Sequence, residues 1–335
     1  MIRRRLTEVI RAGEWWEYKL VPIYAAFYAT ALTLDVPVSS LWRAALVVLA
    51  SLVPGAAYVS VINDLTDRDD DLAAGKPNRL AGRSPWLGGA LVALTAGTGV
   101  LISWLWRWDA LLVTAYLMAW LAFSLYSLPP FRFKKRGVLG VLCDASGAHL
   151  FPTLVAVVLA YRGAARPVSV TWLVAIAVWA FANGLRGILW HQLTDVANDR
   201  AAGVRTFAER HPRRAMLLGT YVAFPLELLA LGTMLWLMRA PAPLVALAIY
   251  AYLTPKRMRH WRINAVVVAP KPRFLIVLAE YYSVYLPVSI LVASAIRHPR
   301  DWIVLLIHLA LFPMRFAQAL RDIGQLIRER RYPWT

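Results

Sequence analysis

Five carboxylates, Asp64, Asp67, Asp69, Asp70 and Asp71, crowd the stretch NDLTDRDDDLAAGKPNR at residues 63–79 of a chain that is 59% hydrophobic and carries a net charge of +18. Asp64, Asp67 and Asp71 stand at i, i+3 and i+7, which gathers them on one face if a helix continues through them. Asp69 and Asp70 fall off that face and read as solvated charge. A second set, Asp195 and Asp199, stands at i and i+4. Each set ends a helix, where the macrodipole disfavours added negative charge unless a cation binds. Oxygen ligands suit a hard ion, and two facing acidic clusters suit two or more Mg²⁺ ions bridging the oxygens of a diphosphate. Asn63 adds a neutral carbonyl oxygen to the first set.

Cations follow each set closely: Lys76 and Arg79 after the first, Arg205 after the second. A third loop reads YSLPPFRFKK and carries Tyr126, Arg132 and Lys134. Such groups bind phosphate oxygens left uncovered by metal and stabilise charge on a departing diphosphate. Membrane topology alone also places basic residues in such loops, so the signal lies in acid and base clustering together in three loops.

These loops must be positioned by membrane-spanning helices. Mean hydropathy is +0.53, and apolar runs near twenty residues recur, so the fold class is an all-α polytopic membrane protein. Spans are expected near 18–37, 41–62, 85–106, 109–128, 138–161, 168–192, 213–238, 241–254, 274–296 and 301–320, the eighth being short. The basic N-terminus leads into a retained first span rather than a cleaved signal. Lys and Arg number four to six in the N-terminal segment, in the loops at 63–84, 129–137, 193–214 and 255–273, and in the tail after 320, while the alternate connections carry one or two each. The positive-inside rule therefore puts both termini and all the acidic loops on the cytoplasmic side. The same bias accounts for the basic pI without nucleic acid as a partner. Cys143 is the one cysteine, so no intrachain disulfide forms.

Asp67-x-x-x-Asp71-Leu-Ala-Ala-Gly75 recurs as Asp195-x-x-x-Asp199-Arg-Ala-Ala-Gly203. One copy follows the second expected helix and the other the sixth. A four-span step preserves orientation, so the natural reading is two related four-helix units.

With these motifs in view, the sequence resembles the UbiA-type intramembrane prenyltransferase superfamily. The resemblance rests on Asn63-Asp64-x-x-Asp67-x-x-x-Asp71, on Tyr126-Ser127-x-Pro129-Pro130-x-Arg132-x-Lys134, and on Asp195-x-x-x-Asp199-Arg-x-Ala-Gly203 with Arg205-Thr206. It implies one transmembrane domain over 1–335, with motifs at 63–79 and 191–206, forming a bundle of nine or ten helices around a central cavity open to lipid. It further implies that Asn63, Asp64, Asp67, Asp71, Asp195 and Asp199 hold Mg²⁺ on an isoprenyl diphosphate, and that Lys76, Arg79, Tyr126, Arg132, Lys134 and Arg205 contact the diphosphate. The allylic C–O bond then breaks, and an aromatic or other lipophilic acceptor captures the carbocation. The NRLAGRS stretch after the first motif departs from the usual Arg-Pro-Leu, and the helix at 301–320 is additional to the usual nine.

Ionisable residues inside spans are functional candidates by default. Asp144, Arg186 and His191 are candidates for acceptor recognition or proton transfer, with His191 one turn before Asp195. The plainer expectation is interhelical pairing, such as Asp144 with Arg186. Asn183, Glu227, Glu280, Tyr281 and Tyr282 also fall inside spans. Tyr116, Trp120 and Phe123, at i, i+4 and i+7, either face an allylic cation or pack in the core.

Two other functions are compatible with parts of this pattern. A UbiA-related terpene cyclase would use the same ionisation without an acceptor. A transporter would place its ion site near the bilayer midplane, whereas these carboxylates lie at helix ends. A CDP-alcohol phosphotransferase motif begins Asp-Gly, and no Asp-Gly occurs in the chain.

Overall fold

Apolar runs punctuated by Pro, Gly and charged loops dictate helices, several of them of bilayer length, and the computed structural model is built mostly of helix. It describes residues 11–73, 75, 78–201 and 203–331. In chain order the helices are α1 (Ala12–Thr33), α2 (Trp42–Thr66), α3 (Arg68–Ala73), α4 (Pro85–Leu105), α5 (Ala110–Ser127), α6 (Val138–Ala145), α7 (Phe151–Gly163) and α8 (Val170–Ala201). They continue as α9 (Phe207–Arg210), α10 (Pro212–Leu218), α11 (Phe224–Met238), α12 (Pro241–Trp261), α13 (Leu286–Arg297), α14 (Asp301–Leu311) and α15 (Pro313–Arg331). Between α12 and α13, β1 (Asn264–Val266) and β2 (Phe274–Ile276) pair in parallel, Asn264 opposite Phe274.

Among the described residues, six helical segments are long and apolar enough to cross a bilayer, or seven if α14 and α15 count as one bent span. The six coincide with the expected spans near 41–62, 85–106, 109–128, 138–161, 168–192 and 213–238. Elsewhere the boundaries change. The run expected at 274–296 does not begin as helix, because Phe274–Ile276 is strand β2 and winding starts only at Ala279. Pro270 and Pro272 follow the β-branched run Val266–Val268 there, a composition that favours extended chain. The helix expected at 301–320 is bent by 90° between Leu311 and Pro313. Phe312 precedes a proline, which disfavours its helical conformation.

Among the described residues, three helices carry a widened π turn: Ser146–Leu150, Gly219–Ala223 and Tyr281–Tyr285. Pro152, Pro225 and Pro287 each follow one of them. A helical proline lacks an N–H and clashes with the carbonyl four residues earlier. Those carbonyls belong to Ala148, Tyr221 and Ser283, the central residue of each widened turn, so the widening relieves the clash.

Helix α1 is buried on all sides from Leu20 to Leu32 and forms the middle of the bundle. It packs on α7 and α13, while α2 packs on α4 and α7, and α8 packs on α6 and α11. The bent α14–α15 pair is fastened to α1: Trp16 Nε1 donates to Leu311 O at 2.8 Å, and the buried Glu17 carboxylate accepts from Met314 N and Arg315 N at 2.8 and 2.7 Å. Glu17 thus satisfies two of the free amides at the start of α15.

Candidate active site

The first acidic motif does not continue as one helix. Helix α2 ends at Thr66, Asp67 caps it with φ −102°, and α3 starts afresh at Arg68. The break separates residues that an unbroken helix would align. Asp64 stays inside the bundle, its side chain fully buried against Arg11, with Oδ2 lacking a protein partner. Asp67 instead faces the 129–137 loop, where it accepts from Arg132 Nη2 at 3.0 Å and from Lys134 Nζ.

Asp70 is not simply solvated. It accepts from the same Arg132 Nη2 at 2.9 Å and pairs with Lys135 Nζ at 2.7 Å, because the fresh start of α3 swings it toward the basic loop. Partial burial opposes its ionisation, yet Lys135, Arg132 and Lys134 together outweigh that and hold the carboxyl below the usual carboxylate range. For Lys134 burial prevails over the pull of Asp67, and its ammonium loses its proton more readily than a free lysine. Asp69 is exposed, as expected.

The second motif does lie on one helix, α8, which runs unbroken through Asp195 and Asp199. Asn198 Nδ2 donates to Asp195 Oδ1 at 3.3 Å. The two motifs repeat in detail. Thr206 Oγ1 donates to Asp199 Oδ2 at 2.9 Å from seven residues beyond, and Asn78 Nδ2 donates to Asp71 Oδ2 at 2.9 Å from seven residues beyond. Each donor also accepts from a backbone amide three residues on, Glu209 N and Ala81 N respectively. Gly75 and Gly203 share left-handed φ values of 65° and 67°, which glycine adopts without a Cβ penalty. The basic loop joins the two motifs: Arg132 and Lys134 reach Asp67, while Gly137 forms a parallel β-bridge with Thr206.

Next to the motifs lies a largely apolar cavity of about 830 Å³. Asn63, Tyr126, Asp144 and His191 line it, and Asp67 and Asp195 each lie one turn beyond Asn63 and His191. Asn63 Oδ1 accepts from Ser127 Oγ at 2.5 Å. Tyr126 is on the cavity wall, next in sequence to Ser127, whose hydroxyl holds Asn63.

Asp144 and Arg186 both line the cavity but do not pair. Arg186 is committed to Glu227, with Nε to Oε2 at 2.6 Å and Nη2 to Oε1 at 2.8 Å, and Tyr282 OH donates to the same Oε1 at 2.8 Å. Glu227 on α11 packs directly against α8, and a planar guanidinium is best met by a bidentate carboxylate. Glu280 is likewise held, by Arg257, while Tyr281 OH donates to Pro243 O at 2.9 Å. Asn183 lines the cavity too.

Among the diphosphate candidates, Arg79 Nη2 donates to Glu14 Oε1 at 2.5 Å, Arg205 is exposed, and Lys76 lies outside the described residues. Among the described residues no three Asp, Glu, His or Cys side chains converge as a ready metal cage. Asn78, Lys135, Gly137 and Arg11 contribute to the site although their types drew no attention in the sequence. Asn78 was detectable, because it occupies the position in the first repeat that Thr206 occupies in the second.

A family model for the UbiA prenyltransferase family matches residues 20–278. The chain belongs to the UbiA prenyltransferase family. Helices α13 to α15 lie beyond the matched range. Among curated proteins, a lycopene elongase/hydratase from Haloarcula japonica is 28% identical over 47% of this chain and 50% of its own. A 2-acylphloroglucinol 4-prenyltransferase, chloroplastic, from Humulus lupulus is 28% identical over 54% of this chain and 44% of its own. The chain thus spans about half the length of the curated relatives it matches. The UbiA fold is evident in a homologue from Archaeoglobus fulgidus bound to GPP and Mg²⁺, with TM-score 0.54 and 18% identity over 93% of this chain and 99% of that one. The same homologue bound to DMAPP and Mg²⁺ gives a TM-score of 0.50 and 19% identity over 96% and 99%.

Proposed function

We propose that this UbiA family member transfers an isoprenyl group from an isoprenyl diphosphate to a lipophilic acceptor within the membrane, with Mg²⁺ as cofactor. The observation that carries the proposal is the join between an apolar cavity and two acidic motifs linked by one basic loop, whose Arg132 and Lys134 reach Asp67 and whose Gly137 bridges to Thr206. The cavity suits a hydrocarbon chain and the rim suits a polyanion with its counterions. That solved UbiA homologues bind GPP or DMAPP together with Mg²⁺ supports the same reading.

The residues fit a hard divalent ion. The donors Asn63, Asp67, Asp71, Asp195 and Asp199 offer oxygen only, and Asp67 already attracts two cationic side chains. Among the described residues no three Asp, Glu, His or Cys side chains form a cage, and such a donor set would leave room beside a bound Mg²⁺ for phosphate oxygens and water. Asp64, whose Oδ1 meets Arg11, keeps Oδ2 as a further oxygen donor. When bound, Mg²⁺ supplies Lewis acidity toward the leaving diphosphate.

The protein's own groups divide the remaining work. Binding of the diphosphate frees Arg132 and Lys134 from Asp67 and Asp70, and they turn to the phosphate oxygens, with Arg79 and Arg205 as further contacts. Tyr126 donates a hydrogen bond from the cavity side. The aromatic wall of α5 excludes water from an allylic cation. His191, Asp144 and Arg186 flank the place where an acceptor meets that cation, and His191 is the group best placed to take its proton. The charge bias of the loops supports a cytoplasmic rim, and the repeated motif geometry supports two related four-helix units.

Purified protein incubated with Mg²⁺, prenyl diphosphates of several lengths and a membrane lipid extract is expected to yield a prenylated lipid identified by mass. Asp67→Ala and Asp195→Ala should abolish Mg²⁺-dependent diphosphate release while the protein stays folded. Undiminished release in both variants would refute the metal assignment, and a hydrocarbon formed without acceptor would indicate cyclisation.

A further inference from the structure

Helix α5 lines the cavity with Tyr116, Trp120 and Phe123, and α2 lines the facing side from Ser51 to Asn63. At the helical rise those α2 positions span about 18 Å from the acidic rim inward. At the inner end Tyr116 OH donates to Ser51 O at 3.2 Å, and Trp106 packs edge-on against Tyr116 with ring centroids 5.2 Å apart. These contacts form a floor. One turn above it, Trp120 lies 4.8 Å from the Tyr58 ring and 5.9 Å from Tyr116.

Trp120 differs from the tryptophans that simply fill the core. Trp172 and Trp179 are each 1% exposed, whereas Trp120 is only partly buried and borders the cavity. Its outer edge sits in a socket of two glycines on neighbouring helices. A Cβ at Gly99 of α4 would lie 2.6 Å from Cζ2 of the indole, and a Cβ at Gly55 of α2 would lie 3.9 Å from the same atom. No real Cβ tolerates the first distance, so glycine at 99 is what lets the ring withdraw between α2 and α4. With any side chain there, the indole is driven toward the cavity.

We infer that Trp120, seated in the Gly55–Gly99 socket, determines how long a prenyl chain the cavity accepts. This rests on the prenyl diphosphate reading above: with the diphosphate at the rim, the chain passes Trp120 before it meets the Tyr116–Ser51 floor. Two substitutions should act in opposite directions. Trp120→Ala removes the wall and joins the cavity to the socket, which lengthens the accepted chain. Gly99→Val narrows the passage and favours shorter chains.

The test measures Mg²⁺-dependent diphosphate release and, separately, thermal stabilisation of the full chain in detergent by non-hydrolysable prenyl thiodiphosphates of two, three and four isoprene units. Trp120→Ala is expected to raise the ratio of kcat/KM for the longest over the shortest substrate at least tenfold, and Gly99→Val to lower it by a similar factor. Stabilisation by the analogues should shift in the same order. Trp120→Leu and Gly99→Ala serve where the larger changes prevent folding. If wild-type protein uses or binds these ligands and the length profile ignores both positions, the inference fails alone. If no length is turned over and none stabilises the wild type, the prenyl diphosphate reading fails and takes the inference with it.

Discussion

Gly137 and Thr206 pair as an isolated parallel β-bridge, and through it the loop that braces Asp67 is fixed to the loop that braces Asp199. The Thr206 hydroxyl works on both sides of this joint, donating to Asp199 Oδ2 and accepting from Glu209 N. Thr206→Val keeps the shape and the bridge but removes both hydrogen bonds. Mg²⁺-dependent diphosphate release should fall about tenfold, the equivalent of one charge-assisted bond of roughly 1.5 kcal/mol, and Thr206→Ser should restore it. Equal loss in both variants would mean that the hydroxyl is not the relevant group.

The same loop is pressed against α6 at a point where no side chain fits. A Cβ on Gly140 would lie 2.6 Å from the carbonyl oxygen of Phe133 and 2.9 Å from Cα of Lys134, both backbone atoms. Gly140→Ala must therefore move the loop that carries Arg132 and Lys134. The substitution should cost about 1–3 kcal/mol of stability and raise KM for the diphosphate substrate more than it lowers kcat. Gly187→Ala, on α8 where a Cβ meets nothing within 4 Å, provides the steric control for stability.

Asp70 makes the rim sensitive to acid. Its carboxyl is held below the usual range in the folded protein, so its contribution is present above the ordinary carboxylate value, near 3.9, and is lost as pH falls through the lower folded value. The group is partly exposed, which limits the contribution to about 0.5–1 kcal/mol. Thermal melts in detergent should show Asp70→Asn less stable than wild type at pH 6, with the difference closing below pH 4. A difference that persists unchanged at pH 3 would indicate that the ion pairs with Arg132 and Lys135 do not carry the effect.

The motifs and most spans were legible in the sequence because they rest on local pattern. The spacing of Asp195 and Asp199 told their helical placement, and charge bias between apolar runs told where the helices end. What escaped depends on contacts distant in the chain. Asp70 has the wrong phase for an unbroken helix, and only the break at Asp67 brings it to Arg132 and Lys135. Arg186 was expected to find Asp144, but Glu227 on a neighbouring helix satisfies its planar fork better. Phe312 and Pro313 stood plainly in the expected tenth span, and the pre-proline restriction that bends it by 90° was readable there too.

Arg186 and Glu227 provide the sharpest energetic test, because both side chains are nearly inaccessible, at 2% and 0% exposure. Removing one partner leaves a buried charge or an unmatched guanidinium, which typically costs about 3–5 kcal/mol, whereas replacing both by apolar groups is often close to neutral. Arg186→Met alone and Glu227→Leu alone should each lower the melting temperature sharply, and the double variant should recover most of the loss. Tyr282 complicates the cycle in an informative way, since its hydroxyl donates to Glu227 Oε1 and would lose its acceptor in Glu227→Leu. Adding Tyr282→Phe to the double variant should therefore improve stability further, by about 1 kcal/mol. Should that stable triple variant still turn over a prenyl diphosphate at the wild-type rate, Arg186 acts in the bundle only and has no part in acceptor recognition. A stable but inactive triple variant, with diphosphate binding intact, would instead place Arg186 at the acceptor.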